Sequence, residues 1–127
     1  MYELMVKGSF ASAHNLRDYK GKCEHLHGHN YIVEAYFTCK TLAKNGLGVD
    51  FGILKDKLNI ITEELDHKYL NKDVEYFKKH NTSAENLAKY IYDRLVKAVK
   101  DAKVSKVSVW ESEKAKATYY KGGGLEG

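Results

Sequence analysis

Two segments in the first third of the chain have residue patterns that predict β-strands. Residues 1–13 are rich in β-prone side chains, and Gly8 lies where a β-bulge would fit. In residues 30–41, apolar side chains recur at every second position, which indicates a strand with one buried face. Those positions are Tyr31, Val33, Ala35 and Phe37. Residues 14–29 follow neither the strand period nor the helix period and predict an irregular segment.

Two later segments have the spacing of amphipathic helices. After Asp50, leucine and isoleucine recur at helical spacing, which predicts a helix of about three to four turns that ends near Asp66. A second helix follows Thr82 or Ser83, either of which can cap its first turn. Two short strands then follow, and they predict a hairpin around residues 112–114.

The predicted order ββααββ indicates the α+β class, with a four-stranded antiparallel sheet and two helices on one of its faces. The length of 127 residues suits a single core, so we expect one domain over residues 1–122 and a flexible glycine-rich tail over residues 123–127. A sheet this small has two edges that can pair with other copies. We therefore expect a homo-oligomer.

Charge and composition narrow the classes of function. The formal net charge is +4, but the lysines are spread over helix faces and turns, which favours a small anionic substrate over nucleic acid. No apolar run approaches the length of about 18 residues that a membrane span needs, and no signal-peptide pattern is present. With only two cysteines, a reducing cytoplasm is the expected location.

The segment from Cys23 to His29 contains one cysteine and three histidines. His27 and His29 flank a single glycine, so in an extended segment their side chains face the same side and can meet one metal ion. A catalytic zinc site uses three protein ligands and one open position, and His14 is the next candidate if the first two strands are neighbours. Hydrogen-bonded histidines without metal explain the same pattern equally well.

Other candidate residues each have two interpretations. Cys23 either closes a structural zinc site or stays unliganded as a base or nucleophile, and His25 is either a neighbour of the site or a surface residue. Asp66 and His67 form an acid–base pair or simply end a helix. Glu111 binds a substrate amine or is an ordinary carboxylate at the sheet edge.

Six short motifs occur in a fixed order along the chain. They are FASAH (10–14), CEHLHGH (23–29), VDFGILK (49–55), LDHKYLN (65–71), TSAENLA (82–88) and WES (110–112). Together they resemble the 6-pyruvoyltetrahydropterin synthase family over nearly the whole chain. The separation of Cys23 from His27 by three residues resembles the 6-carboxytetrahydropterin synthase branch, since this stretch is longer in the animal pyruvoyl-type enzymes.

The resemblance implies the tunnelling fold (T-fold), whose subunits join edge to edge and usually form hexamers, as dimers of trimers, with active sites at the interfaces. It also implies a reaction on a pterin triphosphate. 7,8-Dihydroneopterin triphosphate would become 6-carboxy-5,6,7,8-tetrahydropterin, with release of acetaldehyde and triphosphate, in the biosynthesis of queuosine-type 7-deazaguanines. The alternatives are the 6-pyruvoyl product, another cleavage of the pterin side chain, and a non-catalytic zinc-stabilised interaction module.

The resemblance also implies a role for each of seven residues. These are the Zn²⁺ ligands His14, His27 and His29, the general base Cys23, its activating or proton-relaying partners Asp66 and His67, and Glu111, which would bind the guanidine-like edge of the pterin.

Three basic residues and two departures from the family pattern complete the sequence expectations. Arg17, Lys20 and Lys22 are candidates to bind the triphosphate, although a solvated loop is the more ordinary explanation. Asn81 stands where relatives often have proline, which should change only the stiffness of the helix entry. His25 is an additional histidine that puts the partner of the Cys23 thiolate in doubt.

Overall fold

A computed structural model describes residues 1–17, the backbone of residue 27 and residues 28–122. In these residues, four strands form one antiparallel sheet in chain order. They are β1 (Tyr2–His14), β2 (His27–Cys39), β3 (Lys103–Ser112) and β4 (Ala115–Tyr120). The predicted four-stranded antiparallel sheet is confirmed, and β1 and β4 form its two edges.

Two long helices cover one face of this sheet, which we call the inner face. Helix α1 (Phe51–Leu65) packs on β1, and helix α4 (Ala84–Ala98) packs on β3 and β4. Each helix begins after a residue at which the sequence analysis predicted its start. The Asp50 carboxylate accepts a hydrogen bond from the Gly52 amide (2.8 Å), and the Ser83 hydroxyl accepts one from the Asn86 amide (3.1 Å). Ser83, rather than Thr82, is therefore the cap of α4.

Two single-turn helices lie between the long ones, α2 (Leu70–Asp73) and α3 (Tyr76–Lys79). The sequence did not predict them, because four residues are too few to show a helical period. They bury Leu70 and Phe77 against the core. None of the helices in the described parts of the chain is long and apolar enough to cross a membrane.

The core lies between the inner face and the two long helices. Its fully buried side chains come from alternate residues of the strands and from one side of each helix, as the periodicities predicted. They include Tyr31, Val33, Phe37, Leu54, Leu58, Leu65, Leu87, Ile91, Leu95, Val107 and Val109. Each buried leucine or phenylalanine contributes about 1.5–3 kcal/mol to folding. This packed layer holds the sheet in place, and the sheet in turn positions the polar side chains at one end of its inner face.

The first two strands differ from the sequence prediction in two respects. β2 begins at His27, three residues before the predicted start, because its pairing with β1 continues without a break from Tyr2 opposite Cys39 to His14 opposite His27. The β-bulge predicted at Gly8 is therefore wrong. A Cβ atom at Gly8 would lie 3.2 Å from Cδ2 of Leu58, so the glycine serves the close approach of α1 to the sheet.

Candidate active site

The inner face becomes polar at the end of the sheet where β1 ends and β2 begins. Ser12 pairs with His29 across these strands, and Glu111 of β3 follows the buried Val107 and Val109 at two-residue spacing. The side chains of His14, His29 and Glu111 converge there, with ligand atoms within 4.8 Å of one another. Strand pairing thus brings together three residues that are far apart in the sequence.

Exposure increases across this cluster from one side to the other. The side chain of His14 is 0% exposed, that of His29 is 25% exposed and that of Glu111 is 31% exposed. His29 and Glu111 also line a cleft of about 710 Å³, together with Ile32 and Trp110. A volume of about 300–1,000 Å³ is usual for a small-molecule site. The cluster is therefore buried at His14 and open to a ligand at Glu111.

The donor set suits a divalent transition metal. Nε2 of His14 is 3.9 Å and Nε2 of His29 is 3.7 Å from Oε1 of Glu111. Zinc bonds of about 2.0–2.2 Å at tetrahedral angles hold ligand atoms about 3.4 Å apart. Both distances to Glu111 exceed that spacing by no more than about half an ångström, which is on the order of ordinary side-chain motion. Imidazole and carboxylate are both zinc ligands, so the residues fit the ion.

Asp66 and His67 form a hydrogen-bonded pair at the edge of β1. Nδ1 of His67 is 2.9 Å from Oδ2 of Asp66, and Oδ1 of Asp66 accepts a hydrogen bond from the Ala11 amide (2.8 Å). The Ala11 amide and the nearby His67 hold the pKa of the Asp66 carboxyl below its usual range. The carboxylate is therefore ionised at neutral pH and orients the imidazole beside it.

The backbone of His67 adopts a left-handed conformation, with φ of 55°, which is unfavourable for a residue with a Cβ atom. Its amide donates to the Ala11 carbonyl (2.6 Å), which fixes this conformation on the edge strand. The side chain is 84% exposed, yet His67 and His29 line one cleft of about 540 Å³. The structure thus places the predicted pair and a predicted metal ligand on the same cleft.

Several sequence predictions fall outside the described residues. They concern the side chain of His27, the residues Cys23, His25, Lys20 and Lys22, and the tail over residues 123–127. Arg17 is described, and its guanidinium donates to the carbonyl groups of Phe77 (3.1 Å) and His80 (2.8 Å). These bonds tie Arg17 to the end of α3 and give it a structural role.

Sequence reasoning missed two residues that contact His14. The hydroxyl of Tyr31 is 3.0 Å from Nδ1 of His14, and the carbonyl oxygen of Thr82 is 2.9 Å from the same nitrogen. The strand period could have indicated Tyr31, because it lies two residues after His29 on the same face. No local signal indicates Thr82, which the sequence marked only as a possible helix cap.

Comparisons with known proteins identify the family. The model of the 6-pyruvoyl tetrahydropterin synthase family matches residues 3–122. The chain belongs to this family. A solved structure described as the Caenorhabditis elegans 6-pyruvoyl tetrahydropterin synthase is 28% identical, with a TM-score of 0.87 and coverage of 95% of this chain and 96% of that one. The expected T-fold is therefore confirmed.

Relatives of this pterin synthase family member carry two different names. A "Putative 6-carboxy-5,6,7,8-tetrahydropterin synthase" of Archaeoglobus fulgidus is 35% identical over 116 residues, which cover 89% of this chain and 93% of that protein. A "Putative 6-pyruvoyl tetrahydrobiopterin synthase" of Caenorhabditis elegans is 32% identical over 124 residues, which cover 87% of this chain and 89% of that protein. Identity alone does not separate the two reactions.

Proposed function

We propose that the chain is a zinc-dependent 6-carboxytetrahydropterin synthase. It would convert 7,8-dihydroneopterin triphosphate and one water molecule to 6-carboxy-5,6,7,8-tetrahydropterin, acetaldehyde and triphosphate, as a step toward queuosine-type 7-deazaguanines. The observation that carries the proposal is the convergence of His14, His29 and Glu111 in a member of the pterin synthase family. His29 and Glu111 of this cluster also line a ligand-sized cleft. Metal-ligating side chains and an open cavity at one place are the requirements of a metal-assisted active site.

Three histidines would hold the ion in this proposal. His14 and His29 are brought together by the β1–β2 pairing, and position 27 of β2 lies opposite His14 in the same ladder. This register supports His27 as the third ligand. With His27 as the third ligand, the ion would not need the nearby Glu111 carboxylate. Glu111, at the open side of the cluster, could then accept hydrogen bonds from the N–H groups of the pterin. Zinc, when bound, supplies a Lewis acid that lowers the pKa of the substrate hydroxyl groups.

Proton transfer would be the task of Cys23 together with Asp66 and His67. Cys23 takes the role of general base from the family resemblance, as a thiolate that removes a proton from carbon. Asp66 accepts a hydrogen bond from Nδ1 of His67, so it orients the ring and leaves Nε2 directed away from the carboxylate. That nitrogen can then give or receive a proton at the substrate.

The open edge of the sheet supports an oligomeric enzyme. His67 lies at the edge strand β1 and is 84% exposed, whereas a catalytic histidine usually works in a site from which water is excluded. A second copy that covers this edge would exclude water from His67, in keeping with a homo-hexamer built as a dimer of trimers. The mass in solution, measured by light scattering, tests this part of the proposal, and a monomer would contradict it.

The decisive experiment is a product analysis. The zinc-loaded protein is incubated with 7,8-dihydroneopterin triphosphate, the pterin product is identified by its mass, and acetaldehyde is assayed separately. We expect 6-carboxytetrahydropterin and acetaldehyde, and we expect Cys23→Ala to abolish both while it keeps the fold and the metal. A 6-pyruvoyl product without acetaldehyde would instead support the second candidate, which the comparably similar pyruvoyl-type relatives favour.

A further inference from the structure

The surroundings of His14 distinguish its two ring nitrogens. Nδ1 is 2.9 Å from the carbonyl oxygen of Thr82 and 3.1 Å from its hydroxyl oxygen. The hydroxyl of Tyr31 lies 3.0 Å from Nδ1 and 3.1 Å from Nε2, so it does not favour either nitrogen. Nε2 is the nitrogen that lies toward Glu111. Thr82 thus contacts Nδ1 through two oxygen atoms, on the side of the ring away from Glu111.

The direction of the hydrogen bond follows from the chemistry of Thr82. A carbonyl oxygen only accepts, so its contact with His14 requires a proton on Nδ1. The hydroxyl of Thr82 donates its own proton to the carbonyl of Asn15 (3.1 Å), which leaves its oxygen lone pairs to face Nδ1. Both oxygen atoms of Thr82 thus act as acceptors for a single N–H group. A neutral imidazole with its proton on Nδ1 has its lone pair on Nε2.

Thr82 is held through the backbone carbonyl of Asn15, which accepts a hydrogen bond from its hydroxyl. We call the three residues that fix this part of the chain, Asn15, Asn71 and Asn81, the amide brace. The side chain of Asn71 accepts from the Asn15 amide (3.0 Å) and donates to the Asn15 carbonyl (2.9 Å). The side chain of Asn81 makes the same two bonds with the backbone of Arg17 (2.9 and 2.8 Å). Asn81 thus does more than alter the stiffness of the helix entry.

We infer that Thr82, positioned by the amide brace, fixes His14 in the tautomer that carries its proton on Nδ1 and so directs the lone pair of Nε2 toward a metal ion. The inference rests on the proposed metal site and adds a positioning residue to it. Partners that hold the second nitrogen of a metal-binding histidine typically contribute about 10–100-fold to metal affinity. Thr82 would therefore raise zinc affinity without touching the ion.

The first test determines the tautomer directly. The unaltered chain, stripped of metal by a chelator and held at a pH of about 8, above the usual histidine pKa of about 6.5, is studied by ¹⁵N NMR of the imidazole nitrogens. We expect His14 to show a protonated Nδ1 and an unprotonated Nε2. A protonated Nε2 would overturn the inference. Because this measurement needs no substitution at Thr82, it decides the question even if a variant fails to fold.

The second test measures zinc affinity by competition with a chromophoric chelator. We expect Thr82→Val to weaken zinc binding about 10-fold and Thr82→Ser, which keeps the hydroxyl, to restore it to within about threefold. The matched control is Thr62→Val, which removes another buried threonine hydroxyl, one that donates to the Asn59 carbonyl within α1. Equal zinc affinity for Thr82→Val and the parent, or an equal loss in Thr62→Val, would overturn the role of the Thr82 hydroxyl, whereas the NMR test decides the tautomer that the Thr82 carbonyl imposes.

The outcomes separate this inference from the proposed function. If the chain binds no zinc but His14 carries its proton on Nδ1, the metal site is refuted and the tautomer assignment is supported. If the chain binds zinc while His14 carries its proton on Nε2 in the metal-free state, the metal site is supported and the role of Thr82 is refuted.

Discussion

The two halves of the candidate site are built in opposite ways. His14 is 0% exposed and is held by Thr82, which lies 68 residues away in the sequence. His67 is 84% exposed and is held by its neighbour Asp66 and by the edge of β1. Long-range contacts fix the buried half before any ligand arrives. The open half has its backbone fixed and its side chain accessible, which suits a group that must meet a substrate or a second copy.

The largest expected effect tests the buried half as a metal site. We expect His14→Ala to lower zinc affinity by more than about 100-fold, because loss of a direct ligand should exceed the cost of losing one of its partners. His29→Ala, at a less buried position, should do the same. Zinc per chain, measured by mass spectrometry alongside circular dichroism, checks the result.

The control variants for this prediction lie inside and outside the cluster. Glu111→Gln should keep the metal and weaken pterin binding if Glu111 binds the substrate. His80→Ala should change neither, since its ring stacks on Tyr76 at a centroid distance of 4.1 Å. If both His14→Ala and His29→Ala kept full zinc occupancy, His14 and His29 would not be metal ligands.

The next effect concerns the open half. We expect His67→Ala to lower turnover by about 10²–10⁴-fold, the usual contribution of a general acid or base, while zinc content stays unchanged. Steady-state kinetics and metal analysis on the same preparation provide the measurement. A loss of metal equal to that in His14→Ala would show that the two halves are not separate in function.

A smaller effect tests the strain at His67. We expect His67→Gly to be more stable than His67→Ala by about 1 kcal/mol, because glycine adopts a left-handed conformation without the steric cost of a Cβ atom. The same pair of substitutions at Lys55, an exposed position inside α1, should give the opposite order by a similar amount. Urea unfolding of the four variants measures both differences. Greater stability of the alanine variant at position 67 would contradict the strain.

The smallest effect is a dependence of stability on pH. The Ala11 amide lowers the pKa of Asp66 in the folded chain, so its contribution to stability is present above the unfolded pKa of about 3.9 and is lost as the pH falls through the lower folded value. Asp66→Asn should reduce this loss at acidic pH. The unfolding free energies of the parent and of Asp66→Asn, measured across this pH range, provide the test. If the two free energies change equally with pH, Asp66 makes no pH-dependent contribution to stability.

The sequence predicted the parts that depend on local patterns. The spacing of the histidines and the position of His14 at a strand end predicted that His14 and His29 would lie side by side if the first two strands were neighbours. The strands are neighbours, and the two rings are 5.3 Å apart between centroids. Gly8 was misread because a glycine in a strand fits a bulge and a close helix contact equally well. Thr82 was missed because its contact with His14 depends on how α4 is placed against β1, which no local pattern encodes.

The amide brace has a consequence for how this site can change during evolution. Asn71 and Asn81 hold the chain that leaves β1, while the β1–β2 ladder holds the chain that enters β2. Both ends of the connection that carries Cys23 are thus fixed independently of its length. Since doubling the length of a loop costs only about 0.6 kcal/mol in closure entropy, insertions in this connection would leave His14 and His29 where the two strands hold them.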